Sequence, residues 1–207
     1  MVLHVPAFVE TGNDANSYFK KASLHKTLIV DLRGTPGGYV DSVLDFLGNI
    51  FDRDVKIGDS VERSKVKPMT IKGKQKDAFL GDLIVLIDSE TASGGEIFAR
   101  VVQLQQRGTI LGDKSSGRTM ESRFFGHAYG FNPVLVYGSS VTVGDTVMAD
   151  GKSLEKVGVT PDKSMLPSAA DLLAKRDPVL AYAMGIAGVK ISPEEASKVF
   201  PPETSPR

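Results

Sequence analysis

The sequence predicts an α/β domain with a mixed, partly parallel sheet and flanking helices. An apolar run at residues 26–32 ends in the turn R-G-T-P-G-G, and a helical pattern over residues 39–51 follows it. A second apolar run at residues 83–87 leads into T-A-S-G-G and a helical pattern over residues 94–107. Strands that are apolar throughout are buried on both faces, and repeated strand-turn-helix units are typical of a parallel sheet.

Further elements precede and follow these two units. The alternating residues 2–8 predict a first strand, and a helix over residues 14–25 is expected to bury Tyr18, Phe19 and Leu24. The remaining segments, in chain order, are a polar surface hairpin expected to line a cleft (52–79, with short strands at 60–66 and 69–72), a strand (109–112), a β region (122–150), two helices (168–175 and 177–187) and a tail expected to be disordered (201–207).

Composition limits the classes of function. A chain of 207 residues is long enough for one domain with a substantial core. Its 25 basic and 25 acidic side chains balance, so no net charge attracts nucleic acid or an anionic membrane. The absence of Cys excludes disulfides and a thiol nucleophile, and no apolar run is long enough to span a bilayer. Without an H-E-x-x-H pattern we predict no metal site, and we predict no cofactor.

Ser93 stands where a nucleophile would be placed in an α/β protein. It follows a buried strand and directly precedes a helix, with Gly94 and Gly95 leaving the backbone uncrowded. At a helix start the positive end of the dipole favours a developing negative charge, and the free amides can bind it. The alternative is an ordinary helix N-cap, which is a common role for Ser.

The glycine turn after residues 26–32 offers a second set of amides. Pro36 has no N–H, so Gly37 or Gly38 would form one half of an oxyanion hole, with the amide of Gly94 as the other half. Neither a Walker sequence nor G-x-G-x-x-G is present, which argues against nucleotide binding. The G-x-S-x-G elbow is also absent.

Four motifs in order carry a resemblance to a known family. D-L-R-G-T-P-G-G, V-L-I-D-S-E-T-A-S-G-G-E-I-F-A, G-T-I-L-G-D-K-S-S-G-R and D-G-K-S-L-E-K-V-G-V-T-P-D resemble the peptidase domain of the C-terminal-processing (tail-specific) and tricorn serine peptidases. The resemblance spans residues 2–187 and implies that Ser93 is the nucleophile. It also implies a fold like that of ClpP and crotonase, built from ββα repeats, and a peptide or protein substrate.

The same resemblance bears on the rest of the protein. It implies a peptidase domain over residues 1–190, followed by a C-terminal helix and tail over residues 191–207. Family members commonly carry a PDZ module and further N-terminal segments, so this domain is expected to be part of a longer protein. By resemblance that protein would be bacterial and periplasmic or secreted, and a homo-oligomer is possible.

The residue at the position of the general base differs from that of one branch of the family. In the C-terminal-processing branch a Lys in a G-K-G context follows the Ser, with a Gln after it. The corresponding positions here are Arg118 and Ser122, and arginine stays protonated and cannot accept a proton from a hydroxyl. Lys114 is close in sequence but falls on a different family position, so it is only a reserve base.

The tricorn branch has a Ser/His/Glu arrangement that this chain resembles. His4 lies on the first strand and Glu155 just before G-V-T-P-D, so the resemblance assigns His4 as base and Glu155 as its orienting carboxylate. Leu3 departs from the Ser that precedes the His in that branch. His127 is a second reserve base, and His25 at a helix end is interpreted as structural.

Three classes of function follow. The favoured hypothesis is a serine peptidase that acts through an acyl-enzyme on Ser93. The main alternative is a catalytically impaired member of the same fold that binds a peptide or an apolar ligand, because Arg118 and Leu3 depart from the two catalytic patterns. Acyl-CoA chemistry on the related crotonase fold is the third, and it would require nucleotide contacts that the sequence does not indicate.

Overall fold

Two sheets and six helices make up the described part of the chain. The computed structural model describes residues 1–10 and 12–200, so the predicted disorder of residues 201–207 lies outside the described residues. In chain order, the strands are β1 (Val2–His4), β2 (Thr27–Asp31), β3 (Val55–Glu62), β4 (Lys65–Ile71), β5 (Asp82–Ile87), β6 (Thr109–Gly112), β7 (Glu121–Tyr129), β8 (Leu135–Met148) and β9 (Lys163–Ser164). The helices are α1 (Gly12–Ala22), α2 (Val40–Gly48), α3 (Gly94–Leu104), α4 (Ala169–Leu173), α5 (Pro178–Ile186) and α6 (Pro193–Ala196), with a 3-10 turn at Gln75–Asp77.

The parallel and antiparallel strands form separate sheets. Strands β1, β2, β5, β6 and β9 pair in that order, and every pair is parallel. Strands β4, β3, β8 and β7 pair in that order, and every pair is antiparallel. The predicted α/β class is confirmed, with the parallel strands gathered in one sheet.

Both faces of the parallel sheet are buried. Along β5, Leu83, Val85 and Ile87 join the hydrophobic cluster that also contains residues of α1, α2 and α3, whereas Ile84 and Leu86 join the cluster that contains residues of α5 and α6. Successive side chains of a strand point to opposite faces, so a strand covered by helices on both sides must be apolar throughout. This explains the continuous apolar runs in the sequence.

The beginning of the chain differs from the prediction at two points. The strand predicted over residues 2–8 ends at His4, because Pro6 has no N–H to donate to a ladder, and Phe8 then forms an isolated bridge with Gly38. Leu24 is 83% exposed rather than buried, because α1 ends at Ala22 and the chain turns away from the core. Phe19 is buried as predicted.

The segment over residues 52–79 is a hairpin, as predicted, but it is not only a surface feature. The strand bounds differ from the prediction, because the turn between β3 and β4 lies at residues 63–64, inside the strand predicted over residues 60–66. Strand β3 also pairs with β8. Val55, Ile57 and Ile71 are buried in the main cluster, because one face of this hairpin packs against the body of the domain. The prediction that it lines a cleft is confirmed at Met69.

The sheet order determines where the functional turns lie. Strands β2 and β5 are neighbours and run parallel, so the turns that follow them emerge at the same edge of the sheet. In α/β proteins the carboxyl edge of the strands is the usual position of a ligand site. The glycine turn at 34–38 and the turn that carries Ser93 are therefore adjacent.

Replacement of Phe46 by Ala should destabilise the domain by about 3–5 kcal/mol, because it removes a fully buried ring from the core. Phe46 lies at the centre of an aromatic group, with ring centroids 5.4 Å from Phe8 and 6.0 Å from Phe19, both in edge contact. Urea denaturation measures the change. Leu173→Ala, at a side chain that is 88% exposed, is the control and should change stability by less than about 0.5 kcal/mol. Equal stabilities of the two variants would contradict this packing.

Candidate functional site

Two turns meet at Ser93. The N–H of Ala92 donates to the carbonyl of Thr35 at 2.8 Å, which joins the turn before α3 to the glycine turn after β2. A Cβ atom at Gly37 would lie 2.5 Å from the Cβ of Ser93 and 3.1 Å from the nitrogen of Gly94, so only glycine fits at this contact. The structure thus brings together Ser93, Gly37 and Gly94, the predicted nucleophile and the two predicted oxyanion-hole positions.

The backbone of Ser93 adopts a conformation that is rare for a residue with a side chain. Its φ is +50° and its ψ is −115°, whereas the ordinary N-cap serines of this chain, Ser168 and Ser192, have φ of −72° and −76°. Such a conformation costs about 1–3 kcal/mol and persists only where the surrounding structure enforces it. A strained Ser between a strand and a helix is the arrangement known as a nucleophile elbow. The backbone of Ser93 therefore differs from that of an ordinary N-cap.

Glu96, in the first turn of α3, enforces this conformation. Its fully buried carboxylate accepts four hydrogen bonds, from the hydroxyl of Ser115 at 2.6 Å and from the backbone N–H groups of Gly117 at 2.7 Å, Arg118 at 2.9 Å and Ser93 at 3.1 Å. The N–H of Ser93 also donates to the carbonyl of Arg118 at 2.9 Å. Glu96 thereby fastens the loop after β6 to the turn that carries Ser93. The position of Glu96 at the centre of four donors was not predicted from the sequence.

A cleft of about 440 Å³ opens in front of Ser93. One side is apolar and is formed by α2, α3 and β4 through Val43, Leu44, Ile97 and Met69. The other side is the chain from Thr119 to Arg123, which includes the carboxylate of Glu121. The Oε2 atom of Glu121 accepts from Ser60 at 3.1 Å and the Oε1 atom from Thr146 at 3.3 Å. Sequence reasoning missed Glu121, because only the fold of β7 brings it to the cleft.

Glu155 supports the wall of this cleft. Its Oε2 atom accepts hydrogen bonds from the backbone N–H groups of Thr119 at 2.9 Å and Met120 at 3.3 Å. Both of these residues line the cleft in front of Ser93. The described contacts of the Glu155 carboxylate are thus with the cleft wall, and none of them is with the imidazole of His4.

His4 and Ser93 line different clefts. His4 shares a cleft of about 630 Å³ with Pro6, Arg33 and Asp177, and its ring lies 5.2 Å from that of Phe200 between centroids. On β1, Leu3 packs against the cluster that contains α3 residues, and Val2 packs against the cluster that contains α5 residues. Because side chains alternate along a strand, His4 shares the face of Val2.

The reserve bases also lie outside the cleft in front of Ser93. His127 is exposed on β7, where its ring stacks on that of Tyr137 with centroids 5.3 Å apart. Lys114 is exposed in the loop after β6. Within residues 1–10 and 12–200, the side chains that line the Ser93 cleft include no His and no Lys. His25 is exposed beyond the end of α1.

An ion-pair cluster connects the glycine turn to the C-terminal helices. The guanidinium of Arg33 donates to Asp31 at 2.6 and 2.9 Å and to Asp177 at 2.7 and 2.9 Å. Burial by itself would raise the pKa of the Asp177 carboxyl, but the hydrogen bonds and the charge of Arg33 outweigh it and hold that pKa below its usual value. Asp177 is also the N-cap of α5, since it accepts from the N–H of Leu180 at 2.9 Å.

In the part of the chain that the structure describes, no group of three or more acidic or histidine side chains is arranged to hold a metal ion. None of the helices in that part combines the length and the apolar character needed to cross a bilayer.

Comparisons with known proteins agree on one family. The model of peptidase family S41 matches residues 1–165. The carboxyl-terminal-processing protease of Synechocystis sp. is 28% identical over 175 residues, which cover 82% of this chain and 39% of that protein. The carboxy-terminal-processing protease of Bartonella bacilliformis is 31% identical over 143 residues, which cover 66% of this chain and 30% of that protein.

A solved structure supports the fold. Mature CPAF complexed with lactacystin superimposes with a TM-score of 0.72 over 90% of this chain and 50% of that one, at 14% identity. The chain spans about a third of the length of the curated relatives it matches.

Replacement of Glu96 by Gln should lower the free energy of unfolding by about 3 kcal/mol, because the amide NH₂ group would face backbone donors and leave them unsatisfied. Urea denaturation measures the loss, and protease sensitivity of the loop after β6 reports its release from α3. Glu90→Gln, at an exposed residue in the same turn region, is the matched control. If Glu96→Gln were as stable as Glu90→Gln, the carboxylate would not be what holds this loop.

Proposed function

The chain belongs to peptidase family S41, and we propose that it is a serine-type peptidase of the C-terminal-processing kind with Ser93 as its nucleophile. One observation carries the assignment of Ser93: its backbone is held at a φ of +50°, and the turn at Gly37 comes so close that an added Cβ there would meet both Ser93 and the nitrogen of Gly94. The comparisons give no support to the alternative of a binding module that has lost catalysis.

The proposed reaction is acyl transfer to Ser93. Its Oγ atom attacks the carbonyl carbon of the scissile peptide bond while the general base takes the hydroxyl proton, which it later gives to the leaving amine, and the carbonyl oxygen becomes an oxyanion. The N–H of Gly94, with that of Gly37 or Gly38, stabilises this charge. When the intermediate collapses, the C–N bond breaks, the amine leaves with a proton, and an ester on Ser93 remains. Water then attacks the ester and releases the new carboxyl end.

The cleft suits an apolar side chain next to the scissile bond. Val43, Leu44, Met69 and Ile97 form one wall within reach of the same cleft that Ser93 lines. Burial of an apolar substrate side chain there contributes about 25 cal/mol for each Å² removed from water. The substrate class is therefore a peptide or protein segment with an apolar residue at this position. A periplasmic or secreted location stays a prediction from the family resemblance.

The general base stays a prediction. The resemblance assigns His4 with Glu155, and the described contacts of these two residues lie elsewhere: His4 in the second cleft, Glu155 on Thr119 and Met120. Among the described side chains that line the Ser93 cleft, Glu121 carries the only carboxylate, and a carboxylate can accept a proton. Glu121 is therefore added to His4, His127 and Lys114 in the tests.

Ser93→Ala should lower kcat for peptide hydrolysis by on the order of 10⁴-fold or more, because it removes the attacking oxygen. A fluorogenic peptide with an apolar residue before the scissile bond measures the rate. Ser168→Ala, which removes an ordinary N-cap hydroxyl far from the cleft, is the control and should retain activity. A fluorophosphonate should label the wild type and not Ser93→Ala. Full hydrolysis by Ser93→Ala would falsify the assignment.

His4→Ala should retain far more activity than Ser93→Ala, because the two side chains line different clefts. The same assay applied to His127→Ala, Lys114→Ala and Glu121→Gln identifies the base as the variant that loses both kcat and the acidic limb of the pH profile. Equal losses in His4→Ala and Ser93→Ala would contradict this expectation and would support the assignment made from the family resemblance.

A further inference from the structure

The two edges of the antiparallel sheet differ in a way that has a physical meaning. The strand order is β4-β3-β8-β7, so β4 and β7 are its edges. Strand β4 carries Lys65, Lys67 and Pro68, which are the residues that proteins use to prevent an edge from pairing with another chain. Strand β7 reads E-S-R-F-F-G-H-A-Y and has neither Lys nor Pro. The edge of β4 is protected against association, whereas β7 has its charged residues and its register shift only within residues 121–123 and carries no Lys, Arg, Asp, Glu or Pro over residues 124–129.

The unprotected edge is also the most apolar exposed region of the described chain. In the β7–β8 hairpin, five aromatic side chains are between 47% and 97% exposed: Phe124, Phe125, Tyr129, Phe131 and Tyr137. At about 200 Å² per ring they present roughly 700 Å² of surface. A typical monomer has a largest apolar patch of roughly 300–600 Å². These rings lie on both faces of the hairpin, and taken together they expose more apolar area than the largest single patch of a typical monomer.

Both faces of this hairpin are exposed, so a single packed layer would not cover it. On one face the ring of Phe124 lies over Gly138, where an added Cβ would come within 2.3 Å of it. On the other face His127 stacks on Tyr137. An occupant that extends the sheet itself, with side chains on both faces, covers more of this surface than a ligand that lies on one face.

We propose that a second copy of this chain covers the hairpin, with β7 pairing antiparallel to β7 of the second copy across a two-fold axis. The two four-stranded sheets would then form one continuous sheet. A two-fold interface must be self-complementary. The β7–β8 hairpin meets this condition, because residues 124–142 carry no Lys, Arg, Asp or Glu that would face a like charge on the second copy. Arg123, just before them, already pairs with Glu62 at 3.1 Å. Complete burial of this aromatic area would approach the roughly 800 Å² per partner of a stable interface.

Charge favours a second copy over a lipid surface. A membrane-binding surface normally presents several Lys or Arg side chains beside its apolar residues, and in the hairpin Arg123 is already engaged by Glu62. An extended peptide would satisfy the edge of β7 but would leave most of the aromatic surface exposed. The self-association proposal does not depend on the chemistry of Ser93, because no residue of 124–129, which carry the exposed rings of β7, lines the cleft in front of Ser93.

Analytical ultracentrifugation over a wide range of concentrations tests the proposal. The wild type should show a monomer-dimer equilibrium, and Phe125→Lys, at the middle of β7, should raise the dimer Kd by about 30-fold or more, as loss of a central interface side chain does. Leu173→Lys, at an exposed apolar residue of α4, is the matched control and should leave the equilibrium unchanged. Circular dichroism of each variant checks that the fold is retained.

The absence of Cys from the chain allows a second test of the same interface. Phe125→Cys provides a single thiol, and a short bismaleimide should crosslink it to a dimer, whereas Leu173→Cys should stay uncrosslinked. The proposal is overturned if the wild type is monomeric at every concentration. This holds also if the monomer binds vesicles or an extended peptide through β7. A dimer that persists in Phe125→Lys without crosslinking at position 125 overturns it as well.

Discussion

The buried carboxylate of Glu96 is the interaction on which the candidate site depends. It accepts four hydrogen bonds that join α3, the Ser93 turn and the loop after β6. A hydrogen bond to a charged group contributes about 1.5–3 kcal/mol, so this set outweighs the roughly 1–3 kcal/mol that the left-handed backbone of Ser93 costs. A single Glu one turn into the helix thus allows a strained residue to persist.

A second constraint operates from the other face of the sheet. Arg33 directly precedes the glycine turn, and its guanidinium is shared between Asp31 at the end of β2 and Asp177 at the start of α5. The same turn places Gly37 against Ser93. The C-terminal helices are therefore connected to the candidate oxyanion hole through one arginine.

The turn that carries Ser93 was predictable from the sequence, and the surroundings of its candidate bases were not. Ser93, Gly37 and Gly94 were predicted because a strand, a small-residue turn and a helix occur together in the sequence, and the geometry of that unit is local. His4 was assigned from a motif, but the face of β1 on which it lies is determined by pairing with β2, and that face belongs to the second cleft. The prediction that Leu24 is buried was wrong for a related reason, because the helical periodicity continues in the sequence past Ala22, where α1 ends.

The sequence by itself determined the α/β class, the order of strand-turn-helix units and the position of Ser93, because these depend on short-range patterns of apolar residues and glycine. Only the tertiary structure decided that Glu96 would meet four donors, that Glu155 would hold the cleft wall, that Glu121 would enter the cleft and that β7 would be an unprotected edge. Each of these depends on which distant segments become neighbours. A carboxylate has the same preference for N–H donors at every position, and the fold alone selects the donors that reach it.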